Sequence, residues 1–163
     1  MIRFSSRYMI AALLLCGSVH FAQAQKTMEE YEVFPTRLET DIPYRIPAIA
    51  TASNGDLIAV ADYRYCRMDI GFAGTGDGRI DLRASISKDN GHTWEAPFTI
   101  VKGKGRGFDV FHTGFGDPCV VADRNSSRVF LLSCAGNVSF PGGTREKHQG
   151  IAIMHSEDNG KTW

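Results

Sequence analysis

The chain repeats itself, and the repeat limits its fold more than any other feature. Ser87-Lys88-Asp89-Asn90-Gly91-His92-Thr93-Trp94 returns 69 residues later as Ser156-Glu157-Asp158-Asn159-Gly160-Lys161-Thr162-Trp163, with Ser, Asp, Asn, Gly, Thr and Trp unchanged. A second landmark lies upstream of each copy. Pro47-Ala48-Ile49-Ala50, a turn at Ser53-Asn54-Gly55 and Leu57-Ile58-Ala59-Val60-Ala61 are echoed by Pro118-Cys119-Val120-Val121, a turn within 123–127 and Val129-Phe130-Leu131-Leu132. From Pro47 to Pro118 is 71 residues. Both landmarks therefore give one period of about 70 residues, the mark of stacked supersecondary units.

Inside the first period, β-type runs bounded by Gly, Asn, Asp and Pro turns predict four short strands at 44–50, 57–62, 80–87 and 98–102. Four antiparallel strands are the unit of a propeller blade, so the expected fold is an all-β β-propeller of which about two blades are present. The extra length sits in two glycine-rich loops, 63–78 and 103–116, and long loops on a rigid sheet commonly carry function. Two blades fall short of the roughly four to eight that close a propeller. The sequence, ending in mid-repeat at Trp163, is therefore expected to be the N-terminal part of a longer protein.

The segment before the repeats has another character. Arg3 and Arg7, an apolar stretch over 8–16 and the small-x-small site Ala22-Gln23-Ala24 predict a secretory signal peptide at 1–24, then a leader at 25–43 and the propeller from 44 to 163. The mature protein is expected to be exported, whether periplasmic, at the cell surface or secreted. Leu13-Leu14-Leu15-Cys16 offers a lipid-anchored alternative, although Leu15 is bulky for that role. The apolar run is too short to span a bilayer, and no later stretch reaches the ~20 apolar residues a transmembrane segment needs.

Composition excludes several classes. The chain is 43% hydrophobic and 22% charged, with 18 Lys plus Arg against 18 Asp plus Glu, so no basic excess points to nucleic acid. Once Cys16 leaves with the signal, Cys66, Cys119 and Cys134 are an odd set with no zinc spacing; Cys119 and Cys134 read as small buried hydrophobes. His92, His112, His148 and His155 show no paired metal spacing, so neither metal nor cofactor is expected. The glycine-rich 71–78 run has no helix after it to receive a phosphate and reads as a loop rim. Asn125-Ser126-Ser127 and Asn137-Val138-Ser139 match the glycosylation pattern.

The repeated octapeptide has a local physics of its own. Its aspartate can accept backbone N–H groups across the turn, its glycine supplies a positive φ, its serine can join the network, and its tryptophan can bury a ring beneath the hairpin. That is a folding device rather than a catalytic one. The pattern Ser-x-Asp-x-Gly-x-x-Trp, present twice, resembles the Asp box of sialidases, and Tyr44-Arg45-Ile46-Pro47 resembles the Tyr/Phe-Arg-Ile-Pro motif that opens their catalytic domain. The resemblance covers 44–163. It implies a six-bladed propeller that removes terminal sialic acids from glycoproteins, glycolipids or oligosaccharides.

Chemistry follows residue by residue. A guanidinium fork matches the carboxylate of sialic acid, and the resemblance makes Arg45 one of three such arginines. The family's acid/base aspartate lies about two dozen residues after that arginine, which selects Asp69 in Arg67-Met68-Asp69-Ile70-Gly71. Asp62, Asp77 and Asp81 compete, as a strand-end hydrogen-bonder, a turn former and a buried partner respectively. Arg64 resembles the family arginine that contacts the sugar O4 hydroxyl, and Asp117 the acid that shares this contact, with Gly116 where some members carry a bulkier residue. Its other reading is a turn cap before the strand. Sialidases use a tyrosine nucleophile, which by the same resemblance lies beyond Trp163 together with its activating glutamate and the other two arginines. A non-catalytic propeller that binds glycan or protein, and a transferase or lyase variant of the fold, are the alternatives.

Overall fold

The computed structural model describes residues 29–35, 42, 44–71, 78–105 and 110–163. The signal segment, most of the leader and Asp77 lie outside the described residues. Two antiparallel sheets follow one another along the chain. The first has the order β1 (Arg45–Thr51), β2 (Leu57–Arg64), β3 (Ile80–Ser87), β4 (Phe98–Val101). The second has β5 (Phe115–Ala122), β6 (Val129–Ala135) and β7 (Gly150–Ser156), in that order. The fold is all-β, made of two successive blade-type sheets. Among the described residues no helix is long and apolar enough to cross a membrane.

The strands form where β-branched and small apolar residues alternate with turns, and the sheets meet through those residues. Ile58, Val60, Leu82 and Ala84 of the first sheet join Phe115, Val129, Leu131 and Ala135 of the second in one buried core. Each large aliphatic side chain withdrawn from water there stabilises the fold by about 1.5–3 kcal/mol. β2 is buried along most of its length and runs two residues beyond its expected end, so that Tyr63 and Arg64 belong to the strand rather than to a loop.

Both octapeptides share one set of bonds. Ser87 Oγ donates to Asp89 Oδ1 (2.9 Å) and accepts from the Gly91 N–H (2.8 Å), while Asp89 accepts from the Thr93 N–H (2.8 Å) and hydroxyl (2.6 Å). Ser156, Asp158, Gly160 and Thr162 repeat these bonds at 2.7, 2.9, 2.8 and 2.6 Å. The threonine hydroxyls above all, then the backbone donors, hold both carboxyls down to about 2. Trp94 and Trp163 donate Nε1–H to the glycine carbonyls at 3.1 and 2.9 Å, and their rings are half-buried rather than covered as expected. The second turn alone presses into the core: a Cβ on Gly160 would stand 2.6 Å from Ile58 Cδ1.

A second shared device breaks the strands. Register shifts fall between Arg45 and Ala48 in β1 and between Gly116 and Cys119 in β5. Ile46 and Asp117, each just before proline and 71 residues apart, carry φ of 51° and 53°. Proline disfavours a right-handed helical conformation in the residue before it, and here the chain turns left-handed and bulges. An unbroken pleat would turn Arg45 and Ile46 to opposite faces; with the bulge both are exposed. Asp117 lies within β5 rather than capping a turn before it.

Candidate functional site

The C-terminal end of β2 places Asp62 and Arg64 on one side of the strand, as residues two apart must be. Both are fully buried. Arg64 directs Nε and Nη2 onto Asp62 Oδ2 at 3.1 and 2.8 Å, and the same Nη2 reaches Asp69 Oδ1 at 3.0 Å. Asp62 turns its other oxygen, Oδ1, to the backbone N–H of Asp117 in the second sheet at 3.1 Å. Burial pushes Asp62 up to about 6, against the opposing pull of Arg64.

Asp69 is the exposed member of this chain of contacts, with 45% of its side chain open to solvent. Its backbone is nonetheless fixed. Ile70 is buried beside it and donates its N–H to Asp69 Oδ1 at 2.8 Å. Gly71, at φ 76°, runs so close to the next blade that a Cβ there would fall 2.0 Å from the Ser139 nitrogen. Glycine is what allows the loop to lie on the 138–139 backbone.

Arg45 lies one strand over, paired in register with Asp62 across β1 and β2. It is exposed, and among the described residues no hydrogen bond or ion pair engages it. The four sequence-derived candidates thus gather at one end of the sheets: Arg64 touches Asp69, Asp117 is tied to Arg64 through Asp62, and Arg45 is the strand partner of Asp62. The competitor Asp81 belongs elsewhere. It is buried and saturated by Arg79 Nε (3.1 Å) and Nη2 (3.1 Å), Tyr65 Oη (2.9 Å) and the Gly103 N–H (3.0 Å). Burial, then the Asp81 bond, pushes Tyr65 up to about 12. Around it Arg79 stacks over Tyr65 at 4.2 Å and Arg83 over Tyr63 at 3.6 Å, next to Tyr44 and Phe34. A separate apolar groove of about 480 Å³, lined by residues such as Val33, Phe34, Pro47 and Ala61, carries none of the four candidates.

Sequence reasoning missed two members of the cluster. Asp62, read as a strand-end hydrogen-bonder, is its buried centre. Cys134, read as a buried small hydrophobe, is half-buried beside the cluster; burial, then the carboxylates of Asp117, Asp69 and Asp62, push its thiol up. Cys119 is exposed instead of buried. The signal was the repeat itself. Cys134 faces Gly116 as Asp62 faces Arg45, so the two occupy the same slot in successive sheets. Among the described residues no group of three or more His, Cys, Asp or Glu is placed to hold a metal.

An exposed guanidinium and a half-exposed carboxylate, the latter held by a buried guanidinium, can together grip an anionic, hydroxyl-rich ligand and move a proton on or off it. Fold and site define the class: a propeller-type all-β chain with an arginine–carboxylate cluster at the ends of its strands. No family model matches the chain. In sequence it is similar to the sialidase of Paraclostridium sordellii, 29% identical over 125 residues that cover 74% of this chain and 28% of that protein. It is also similar to the anhydrosialidase of Macrobdella decora, 25% identical over 137 residues, 74% of this chain and 16% of that one. Among solved structures, Hadza microbial sialidase Hz136 shares the fold with a TM-score of 0.57 at 24% identity, over 74% of this chain and 24% of that chain. The likeness to sialidases thus holds across most of the chain, which spans under a third of the length of these relatives.

Proposed function

We propose that the chain is part of an exported exo-α-sialidase that hydrolyses terminal sialic acids of glycoproteins, glycolipids or oligosaccharides with retention of configuration. The observation that carries the reading is the pairing of buried Arg64 with half-exposed Asp69 at 3.0 Å, beside an unengaged Arg45. In this scheme Arg45 takes the substrate carboxylate, where a fork of two parallel N–H donors fits best. Asp117, which is exposed, addresses a ring hydroxyl; Arg64, expected to share that contact, is fully buried and instead holds Asp69.

Asp69 protonates the leaving glycosidic oxygen, and its carboxylate then removes a proton from the incoming water. Solvent exposure lets it exchange protons between the two steps, while Ile70 and Gly71 keep it in place. A tyrosine nucleophile suits this substrate, because a carboxylate nucleophile would approach the sugar's own carboxylate with like charge. That tyrosine, its glutamate base and the remaining arginines are assigned outside these 163 residues, so the chain alone is expected to bind weakly and turn nothing over.

The test is release of free sialic acid from a sialylated oligosaccharide by the full-length protein, wild type against Asp69→Ala. Loss of general acid–base help should lower the rate by about 10²–10⁴-fold. An unaffected Asp69→Ala enzyme removes Asp69 from the role. The similarity to an anhydrosialidase favours one second reading, an intramolecular transfer that leaves an anhydro sugar. Product analysis by mass separates the two, since the anhydro product is lighter than free sialic acid by one water.

A further inference from the structure

We propose that Asp62 is the positioning residue of this site, setting from one buried point both the guanidinium that touches Asp69 and the backbone that presents Asp117. The inference rests on the reading of Asp69 as acid/base and adds the residue that fixes its geometry. The two oxygens of Asp62 have separate tasks. Oδ2 takes two donors of Arg64, and the Nη2 that it holds at 2.8 Å is the nitrogen that contacts Asp69 at 3.0 Å. A long, rotamer-rich side chain is thereby reduced to one orientation, and any shift at Oδ2 is passed to Asp69.

Oδ1 works on the other sheet. Asp117 sits in a bulge, where one residue is left without a ladder partner, and Asp62 Oδ1 accepts its N–H at 3.1 Å. Room for this comes from Gly116: a Cβ there would stand 3.3 Å from Asp62 Oδ2 and 3.2 Å from Ile70 Cδ1. The charged and titratable groups around Asp62 are Arg64 on its own strand, Asp69 after it, Arg45 in register on β1, Asp117 on β5 and Cys134 on β6. Above its folded-state value Asp62 is ionised and both oxygens accept, which satisfies this set. An asparagine at 62 has one accepting oxygen and one NH₂, so an NH₂ would face either the Arg64 donors or the Asp117 N–H.

The experiment compares two sialosides of the same sugar, one with a phenolic leaving group and one with a sugar hydroxyl. Only the poor leaving group depends strongly on a well-placed acid. In the full-length protein Asp62→Asn should cost about 10–100-fold on the sugar glycoside and under about 10-fold on the phenolic one. The same asymmetry is expected for Asp69→Ala, and the double variant should be no worse than Asp69→Ala alone. Equal losses of Asp62→Asn on both substrates, or none, would overturn the proposal. If Asp62→Asn fails to fold, Gly116→Ala, which presses on Oδ2, should give the same asymmetry, and equal losses there count against it. Should the wild type cleave neither substrate, the acid/base reading has failed. Asp62 is then judged by hydrogen exchange at the Asp117 amide: exchange at least about tenfold faster in Asp62→Asn upholds the backbone grip, and unchanged exchange refutes it.

Discussion

Asp62 should make the folded chain more stable as the pH falls from 7 to 5, opposite to the behaviour of most carboxylates. Its folded-state value is about 6 because burial outweighs Arg64, against 3.8 for the ordinary group. A group whose folded value is raised holds a proton more readily when folded. Its contribution is fully present below the unfolded value, near 4, and is lost as pH rises through the folded one, near 6. At about 1.4 kcal/mol per unit, the whole span is about 3 kcal/mol. The part gained between pH 7 and pH 5 is about 1.3 kcal/mol.

Asp89 and Asp158, held at about 2, have the opposite sign, but their stabilisation is lost only as pH falls below about 4. The window from 5 to 7 therefore isolates Asp62. The assay is urea unfolding of wild type and Asp62→Asn at pH 7, 6 and 5, taking the difference in unfolding free energy so that groups common to both cancel. With an m-value of about 2 kcal/mol per molar, the wild-type midpoint should gain about 0.6 M on the variant's between pH 7 and 5. A difference that is flat, or that shrinks toward pH 5, would refute the reasoning: Arg64 would then compensate the buried carboxylate in full.

Two further predictions separate features that look alike in the sequence. Gly91→Ala should cost only the strain of a positive φ, about 1 kcal/mol, whereas Gly160→Ala, with its Cβ 2.6 Å from Ile58 Cδ1, should cost about 2–4 kcal/mol, read as the difference in thermal midpoint shifts. Equal shifts would show that the second turn does not bear on the core. Cys134, with its thiol pushed up beside three carboxylates, should alkylate with iodoacetamide at pH 8 at least about fivefold more slowly than exposed Cys119, and Asp117→Asn should narrow the gap, as peptide mapping would report.

Much of the fold was legible because the repeat made each landmark appear twice. β3 was placed at its observed bounds and β1, β2 and β4 to within one or two residues, since their apolar runs end in Gly, Asn or Pro turns. β2 was cut short at Asp62 because a run of Asp, Tyr and Arg reads as the start of a loop; the two charges neutralise each other only once both are buried. The bulges were invisible, since alternation counting assumes an unbroken pleat and a proline does not announce which conformation its predecessor will take. Arg64, Asp69 and Asp117 were picked out by the resemblance to sialidases, and the structure groups them. Asp62 and Cys134 were passed over because a polar residue ending a strand and a cysteine in an apolar run each have an ordinary explanation. The repeat puts them in one slot, and the strand registers make that equivalence explicit.

The bulge before each proline has a consequence for how such a protein can change. Ile46 and Asp117 have the same backbone conformation at the same point of successive repeats, yet one carries a hydrocarbon and the other an acid. The backbone at that point works as a socket whose shape is inherited with the repeat and whose contents are free to differ. A duplicated unit can thus acquire new chemistry at one position while its strands, turns and core stay as they were. A survey of folding stability should accordingly find residues 46 and 117 far more tolerant of a change in side-chain class than Pro47 or Pro118, whatever the same change at 117 costs the site.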